Sequence, residues 1–221
     1  MSTIDLDDIE AVIFDVDGTL IDSMGIWKDI DIEYFAMHGK ELPEDLQKKI
    51  EGMSFYQTAE FIKYNYDIPD SIERMIDIWN EMAFKKYSEE IQYKRGAEQF
   101  LAMCKEKNIR LGVATSNSRV LYEAVSEHLN MHKYIDCVLT GSEILNGKPA
   151  PDVYLEVAKR LNVLPGKCLV FEDITKGIMA GKNAGMKVCA VDDEYSREFN
   201  EEKKALADYF ISDYLELLEN A

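Results

Sequence analysis

The chain has 221 residues, and a hydrophobic fraction of 47% is enough to bury a sizeable core in one large domain or one domain carrying an insertion. Its 25 basic and 42 acidic residues leave a net charge of −17, a surface that repels nucleic acid and anionic membranes, so neither is expected as a partner. No apolar run is long enough to span a bilayer, and the acidic start MSTIDLDDIE lacks the basic flank of a secretion signal.

In chain order, EAVIFDV reads first, as a buried strand running into Asp15 and Asp17 and then at once into Gly18 and Thr19. A carboxylate at the end of an apolar strand is costly unless something pairs with it. From about residue 23 to residue 93 the strand pattern disappears. Amphipathic helical text replaces it, in YQTAEFIKYNY and SIERMIDIWNEMAFKKY, with Asp70 or Ser71 placed to cap the second helix. A helix in GAEQFLAMCKEKN then resumes an alternation. RLGVATS, DCVLTG, KCLVFED and KVCAV read as buried strands, separated by helices expected over 119–129, 152–161 and 175–184. DYFIS and DYLELLEN would add a sixth strand and a closing helix.

Such alternation predicts an α/β fold: a doubly wound, Rossmann-like parallel sheet covered on both faces. The expected division is a core of residues 1–21 and 95–221, with an all-helical cap of residues 22–94 inserted after the first strand. Hinges are expected near residues 20–23 and 93–96.

In open α/β sheets ligands bind beyond the carboxyl ends of the strands. There the first strand offers Asp15 and Asp17, the second Thr115, Ser116 and Asn117, and the fourth Glu172 and Asp173, while GKPAPD after the third carries Lys148. Gathered carboxylates repel one another, and a hard cation such as Mg²⁺ removes that repulsion through oxygen ligands, with Asp15, Glu172 and Asp173 as candidates. The metal, the Lys148 ammonium and the Thr115 hydroxyl would neutralise a phosphoryl group, one carboxylate would attack phosphorus, and a second would move the protons.

Other features have plainer readings. Cys104, Cys137, Cys168 and Cys189 are scattered without CxxC spacing, which suggests reduced core thiols and a cytoplasmic location. Gly177, Gly181 and Gly185 form a small-residue stripe for close helix–sheet packing outside the site, and Gly185 is also placed to terminate that helix. His128 and His132 are expected as exposed residues at a helix end, not as metal ligands. DDEYSREFNEE reads as a solvated loop and helix start, and Tyr56, Phe61, Tyr64, Tyr66 and Trp79 as core of the helical insertion. Asp173 is placed to cap a following helix, and Pro151 to open another.

DVDGTLIDS, VATSN, GKPAPD and FEDITKGIMAGKNAG resemble, in order, the four motifs of the haloacid dehalogenase superfamily. The helical insertion resembles the small cap of the subgroup that holds β-phosphoglucomutase and many sugar-phosphate phosphatases. The resemblance spans nearly the whole chain. It implies Asp15 as nucleophile and Asp17 as general acid/base. Thr115, Ser116, Asn117 and Lys148 would bind the phosphoryl group. Asp15, Glu172, Asp173 and the backbone carbonyl of Asp17 would hold Mg²⁺.

Departures from the family pattern narrow the choice. Asp17 and the Glu172-Asp173 pair disfavour a dehalogenase, and Asp17 disfavours the phosphonatase branch. β-Phosphoglucomutases usually carry a histidine where Trp27 stands, and two cap cations where Glu51 and Phe55 stand. A glutamate and a phenylalanine do not clamp a second phosphate. The expectation is therefore a Mg²⁺-dependent phosphatase of a small phosphorylated metabolite, acting through an aspartyl phosphate as a monomer or weak oligomer. A mutase is the alternative, and a catalytically inactive binding module comes third. Ile174-Thr175 stands where many relatives place a serine directly after the acidic pair, behind the metal site, and Arg95 is expected as a solvated loop residue.

Overall fold

A computed structural model describes residues 4–218. Six parallel strands form one sheet: β1 (Ala11–Phe14), β2 (Arg110–Thr115), β3 (Cys137–Thr140), β4 (Cys168–Glu172), β5 (Lys187–Val191) and β6 (Tyr209–Ile211). Their order is β3-β2-β1-β4-β5-β6. The chain leaves β1 toward β2 and later crosses back to lay β4 on the other side. The order therefore reverses at β1, and the crevice for a ligand opens beyond its carboxyl end.

Strand periodicity accounts for the two covered faces. Val12, Phe14, Leu111, Val113, Leu169 and Phe171 face one buried cluster, while Ala11, Ile13, Ala114, Leu139, Val170 and Val188 face the other. The first face is dominated by aromatic packing: Phe14 and Phe171 stack at 5.2 Å, and Phe100 meets Phe171 edge to face at 5.3 Å. The second is covered by the helices that follow β3 and β4.

Four helices lie between β1 and β2: α1 (Met24–Met37), α2 (Leu46–Ile50), α3 (Phe55–Tyr66) and α4 (Ile72–Glu89). Local chemistry sets their ends. Ser54 and Gln57 form a reciprocal capping box on α3, Asp67 closes that helix in the left-handed region, and Ser71, one of the two expected caps, accepts from Arg74 N on α4. The core helices are α5 (Ala97–Glu106), α6 (Arg119–His128), α7 (Asp152–Arg160), α8 (Thr175–Asn183), the short α9 (Asn200–Leu206) and α10 (Leu215–Leu218). The last residues of the expected closing helix lie outside the described residues.

The helical block does not have a separate core. Tyr34, Phe35, Ile62, Trp79, Ala83 and Tyr87 share one buried cluster with the sheet face, and α4 packs along α6. The two chain crossings into and out of the block also touch: Ile21 bridges Tyr93, Asp22 N donates to Gln92 O, and Lys94 N donates to Leu20 O.

Several local expectations change. Tyr56 and Tyr64 are exposed, not core, because they fall on the outer face of α3. The 193–203 stretch is only partly solvated: a 3₁₀ segment, Glu194–Phe199, is anchored by Asp193 on Lys94, and fully buried Lys203 donates to Val191 O and Ser196 Oγ. His128 is half-buried, its ring bonded to Ile91 O, whereas His132 is exposed. Pro151 takes the N-cap position of α7. Arg95 is exposed and pairs with Asp213 at 3.5 Å. Cys104, Cys168 and Cys189 are buried, Cys137 is half-buried, and all four are free thiols.

Candidate active site

The ends of β1, β2 and β4 and the loop after β3 converge on one cleft of about 580 Å³ between the sheet and the helical block. Asp15 and Asp17 follow β1, Thr115 ends β2, Glu172 ends β4, and Lys148 reaches in from the segment before α7. Ligand oxygens of Asp15, Glu172 and Asp173 all lie within 4.8 Å of one another, and all three residues are buried.

Lys148 is the cation that balances this cluster. Its Nζ donates to Asp15 Oδ1 at 2.6 Å, to Glu172 Oε1, and to Ala114 O at 3.3 Å. Burial alone would lower its pKa, but the carboxylates of Asp15 and Glu172 outweigh burial and raise it. Burial pushes the Asp15 carboxyl up to about 8, with Lys148 opposing and Glu172 adding to the rise. Asp173 is also held well above the usual carboxylate range, by burial first and then by Glu172 and Asp15. Three acids around one ammonium are electrostatically short of positive charge.

That shortage tests the expected metal. Asp173 Oδ1 accepts from Thr19 Oγ1 at 2.9 Å, while its Oδ2 is buried and unpartnered among the described residues. A hard oxygen set with an orphaned carboxylate oxygen fits a divalent cation such as Mg²⁺. Two glycines keep this space open. A Cβ at Gly18, where φ is +76°, would fall 2.4 Å from Asp173 Oδ2, and a Cβ at Gly177 would fall 2.0 Å from Glu172 Cδ. Gly177 therefore belongs to the site as well as to the packing stripe, a correction to the expectation. Gly181 faces Val188 and Val170, as close helix–sheet packing requires, and Gly185 terminates α8 at φ +74°.

Asp17 is set apart from the acidic cluster. Its Oδ1 accepts from Ser23 Oγ at 2.6 Å and from Tyr87 OH, and its Oδ2 accepts from Asn117 Nδ2 at 3.0 Å. Tyr87 OH in turn accepts from Trp27 Nε1 at 2.7 Å. The side chain of Asp17 is thus directed away from the metal-type cluster, which leaves only its carbonyl for the ligand role. Asn117, expected to face a phosphoryl group, has its side-chain amide on Asp17 and its N–H on Thr115 Oγ1 at 3.0 Å. Its geometry is that of a residue orienting Asp17. Thr115 is buried and Ser116 half-buried at the mouth.

Sequence reasoning missed several residues here. Tyr154 OH donates to Glu172 Oε1 at 2.7 Å, and Glu172 Oε2 accepts from the N–H groups of Asp173 and Ile174. These two N–H groups lie just before α8, whose N-cap residue is Ile174 with no side-chain cap bond, so the expected Asp173 cap does not form. Thr175 Oγ1 is buried without a partner among the described residues. Thr19 and Ser23 sit inside the first motif and were within reach of sequence reading. Tyr87 and Tyr154 carried no local signal. Glu51 and Phe55, which stand where two cap cations were expected to be missing, line the cleft, and Lys28 and Lys48 also line it from the helical block.

Comparison with known proteins agrees with this architecture. The family model for haloacid dehalogenase-like hydrolases matches residues 12–191. A phosphorylated carbohydrates phosphatase from Thermotoga maritima is 34% identical over 179 residues, covering 81% of this chain and 83% of that protein. CbbY from Rhodobacter sphaeroides, solved with phosphate, superposes with a TM-score of 0.85 at 26% identity, covering 95% of this chain and 96% of that one. A putative β-phosphoglucomutase from Thermotoga maritima superposes at 0.70 with 30% identity, covering 96% and 98%. With a family match over most of its length and the expected motifs gathered in one cleft, the chain belongs to the haloacid dehalogenase-like hydrolases.

Proposed function

We propose that this protein is a Mg²⁺-dependent phosphatase of a small phosphorylated metabolite, working through an aspartyl phosphate on Asp15. The carrying observation is the separation of two carboxylates with different surroundings: Asp15 beside Lys148 and the acidic pair, Asp17 held by three neutral donors. Asp15 attacks phosphorus as the ester P–O bond breaks, and Asp17 delivers a proton to the leaving alcohol oxygen. Water then attacks the aspartyl phosphate as Asp17 takes its proton, which releases inorganic phosphate and restores Asp15. Lys148 balances charge on the phosphoryl oxygens, with Thr115 and Ser116 at its edge. Asp15, Glu172, Asp173 and the Asp17 carbonyl would hold the cation, which supplies the positive charge that keeps these acids ionised and polarises the phosphoryl group.

Residues 22–94 act in this reading as a cap that excludes water during transfer and opens for release, pivoting at the paired crossings near Ile21 and Tyr93. The four free thiols support a reducing, cytoplasmic setting. Among the described residues no helix is long and apolar enough to cross a membrane. The phosphorylated carbohydrates phosphatase among its relatives supports a sugar or polyol phosphate as substrate.

The test is p-nitrophenyl phosphate turnover with Mg²⁺, with a chelator, and with Asp15→Asn. Turnover only in the first condition is expected, and equal rates in all three would remove the proposal. A mutase is the second reading, favoured by Lys28 and Lys48 at the cleft and by the β-phosphoglucomutase-like neighbour. Efficient conversion of β-glucose 1-phosphate to glucose 6-phosphate, with its bisphosphate activator present, would establish that reading instead.

A further inference from the structure

The helical block presents one face of α1 to the cleft. Met24, Trp27, Lys28 and Asp31 all line it, at the i, i+3, i+4, i+7 spacing of a single helical stripe. With a rise of about 1.5 Å per residue, Asp31 lies about 10 Å along the axis from Met24, the residue whose side chain approaches Gly18 at the catalytic end.

Asp31 is unusual on this face. It is only 8% exposed, and its one hydrogen-bond donor is the Gln47 amide from α2. Among the described residues it has no salt-bridge cation, although Lys28 and Lys48 line the same cleft. Burial pushes it up to about 7, the Gln47 hydrogen bond opposing. Among the described residues Gln47 is its one hydrogen-bond donor. Trp79 of α4 also lines the cleft; it is 3% exposed, and its buried Nε1 has no acceptor among the described residues.

These observations describe a wall short of both a donor and an acceptor, set well away from the phosphoryl-transfer end. We infer that Asp31, assisted by Gln47, selects the leaving group by accepting hydroxyl hydrogens, so that the substrate is the monophosphate of a neutral, polyhydroxylated alcohol several carbons long. This inference rests on the phosphatase reading above. A second phosphate or a carboxylate at the far end would meet the carboxylate of Asp31 and be repelled. The aromatic side chains nearby form a wall and not a slot for a planar base, because Trp27 meets Phe55 at 86° and Phe55 meets Trp79 at 82°.

The test uses the full chain with Mg²⁺ and four esters: a hexitol monophosphate, p-nitrophenyl phosphate, a sugar bisphosphate and a nucleoside monophosphate. Asp31→Asn keeps the size of the side chain and removes its charge. The ratio of hexitol-phosphate to p-nitrophenyl-phosphate kcat/KM is expected to fall about 10- to 100-fold, chiefly through KM, while the ratio for the bisphosphate rises. The thermal midpoint at pH 8 should rise together with that loss of selectivity, a pairing that a merely structural residue would not give. An unchanged hexitol ratio in Asp31→Asn, or a wild-type preference for the nucleoside monophosphate or the bisphosphate, overturns the inference and leaves the phosphatase reading standing. Failure of wild type to hydrolyse any of the four overturns both.

Discussion

Replacing Gly177 by alanine puts the packing of the acidic cluster to a direct test. The added methyl would sit 2.0 Å from both Glu172 Cδ and Oε1, and Glu172 is fully buried. That carboxylate cannot step aside cheaply, because it takes Lys148 Nζ and Tyr154 OH on one oxygen and two backbone N–H groups on the other. Alanine on its own favours the helix by about 0.5–1 kcal/mol over glycine. Against this, dislodging Glu172 leaves a buried ammonium short of a counter-ion, and breaking a buried pair costs about 3–5 kcal/mol. The net expectation is a loss of about 2–4 kcal/mol. For a chain of this length that lowers the thermal midpoint by roughly 5–15 °C. The assay is thermal unfolding with and without Mg²⁺, beside Gly166→Ala. A Cβ at Gly166 has nothing within 4 Å, so that variant should stay within about 1 kcal/mol of wild type. If Gly177→Ala melts with wild type and gains the same stabilisation from Mg²⁺, then Glu172 is not confined as described.

Lys148→Met leaves Asp15 and Glu172 buried without their ammonium. The metal-free protein should lose about 3–5 kcal/mol in urea titrations, part of it recovered by Mg²⁺, and p-nitrophenyl phosphate turnover should collapse. Asp31→Asn should change the pH dependence of stability. With its folded pKa raised from 3.8 to about 7, Asp31 contributes stability that is present below about pH 4 and is lost as pH rises toward 7. Wild type should therefore fall behind the variant across that window, by about 1.4 kcal/mol per pH unit, and parallel melting curves from pH 4 to 8 would contradict the assignment. Tyr87→Phe removes one donor from Asp17 and should lower kcat about 10- to 100-fold with a smaller effect on KM, measured by steady-state kinetics. Ser54→Ala opens the α3 capping box and should cost about 1 kcal/mol by chemical denaturation.

The sheet was legible because each strand repeats one local pattern, an apolar run closed by a polar or small residue. KVCAV coincides with β5, and the expected helices after β2, β3 and β4 end within a residue of α6, α7 and α8. The acids at the strand ends were legible for a related reason: burying them needs a partner, and the chain supplies four such segments at one edge. What escaped were contacts made across long separations. Tyr87 reaches Asp17 over 70 residues, and Tyr154 reaches Glu172 from a helix whose own pattern explains it as core. The 194–199 segment looked solvated because its text is acidic, yet Asp193 is neutralised by Lys94 from a distant crossing. Gly177 looked like a packing residue alone, since nothing in the sequence says that the atom opposite it is a carboxylate.

Tyr87 rides on α4, in the helical block, while the carboxylate it steadies belongs to the sheet. Any movement that lifts this helix strips Asp17 of a donor at the moment solvent enters. On the proposed phosphatase mechanism, Asp17 would then be fully supported as proton carrier only when the helical block is closed over the cleft. In that reading, idle hydrolysis of a phosphorylated enzyme would be discouraged by the same movement that would admit cargo.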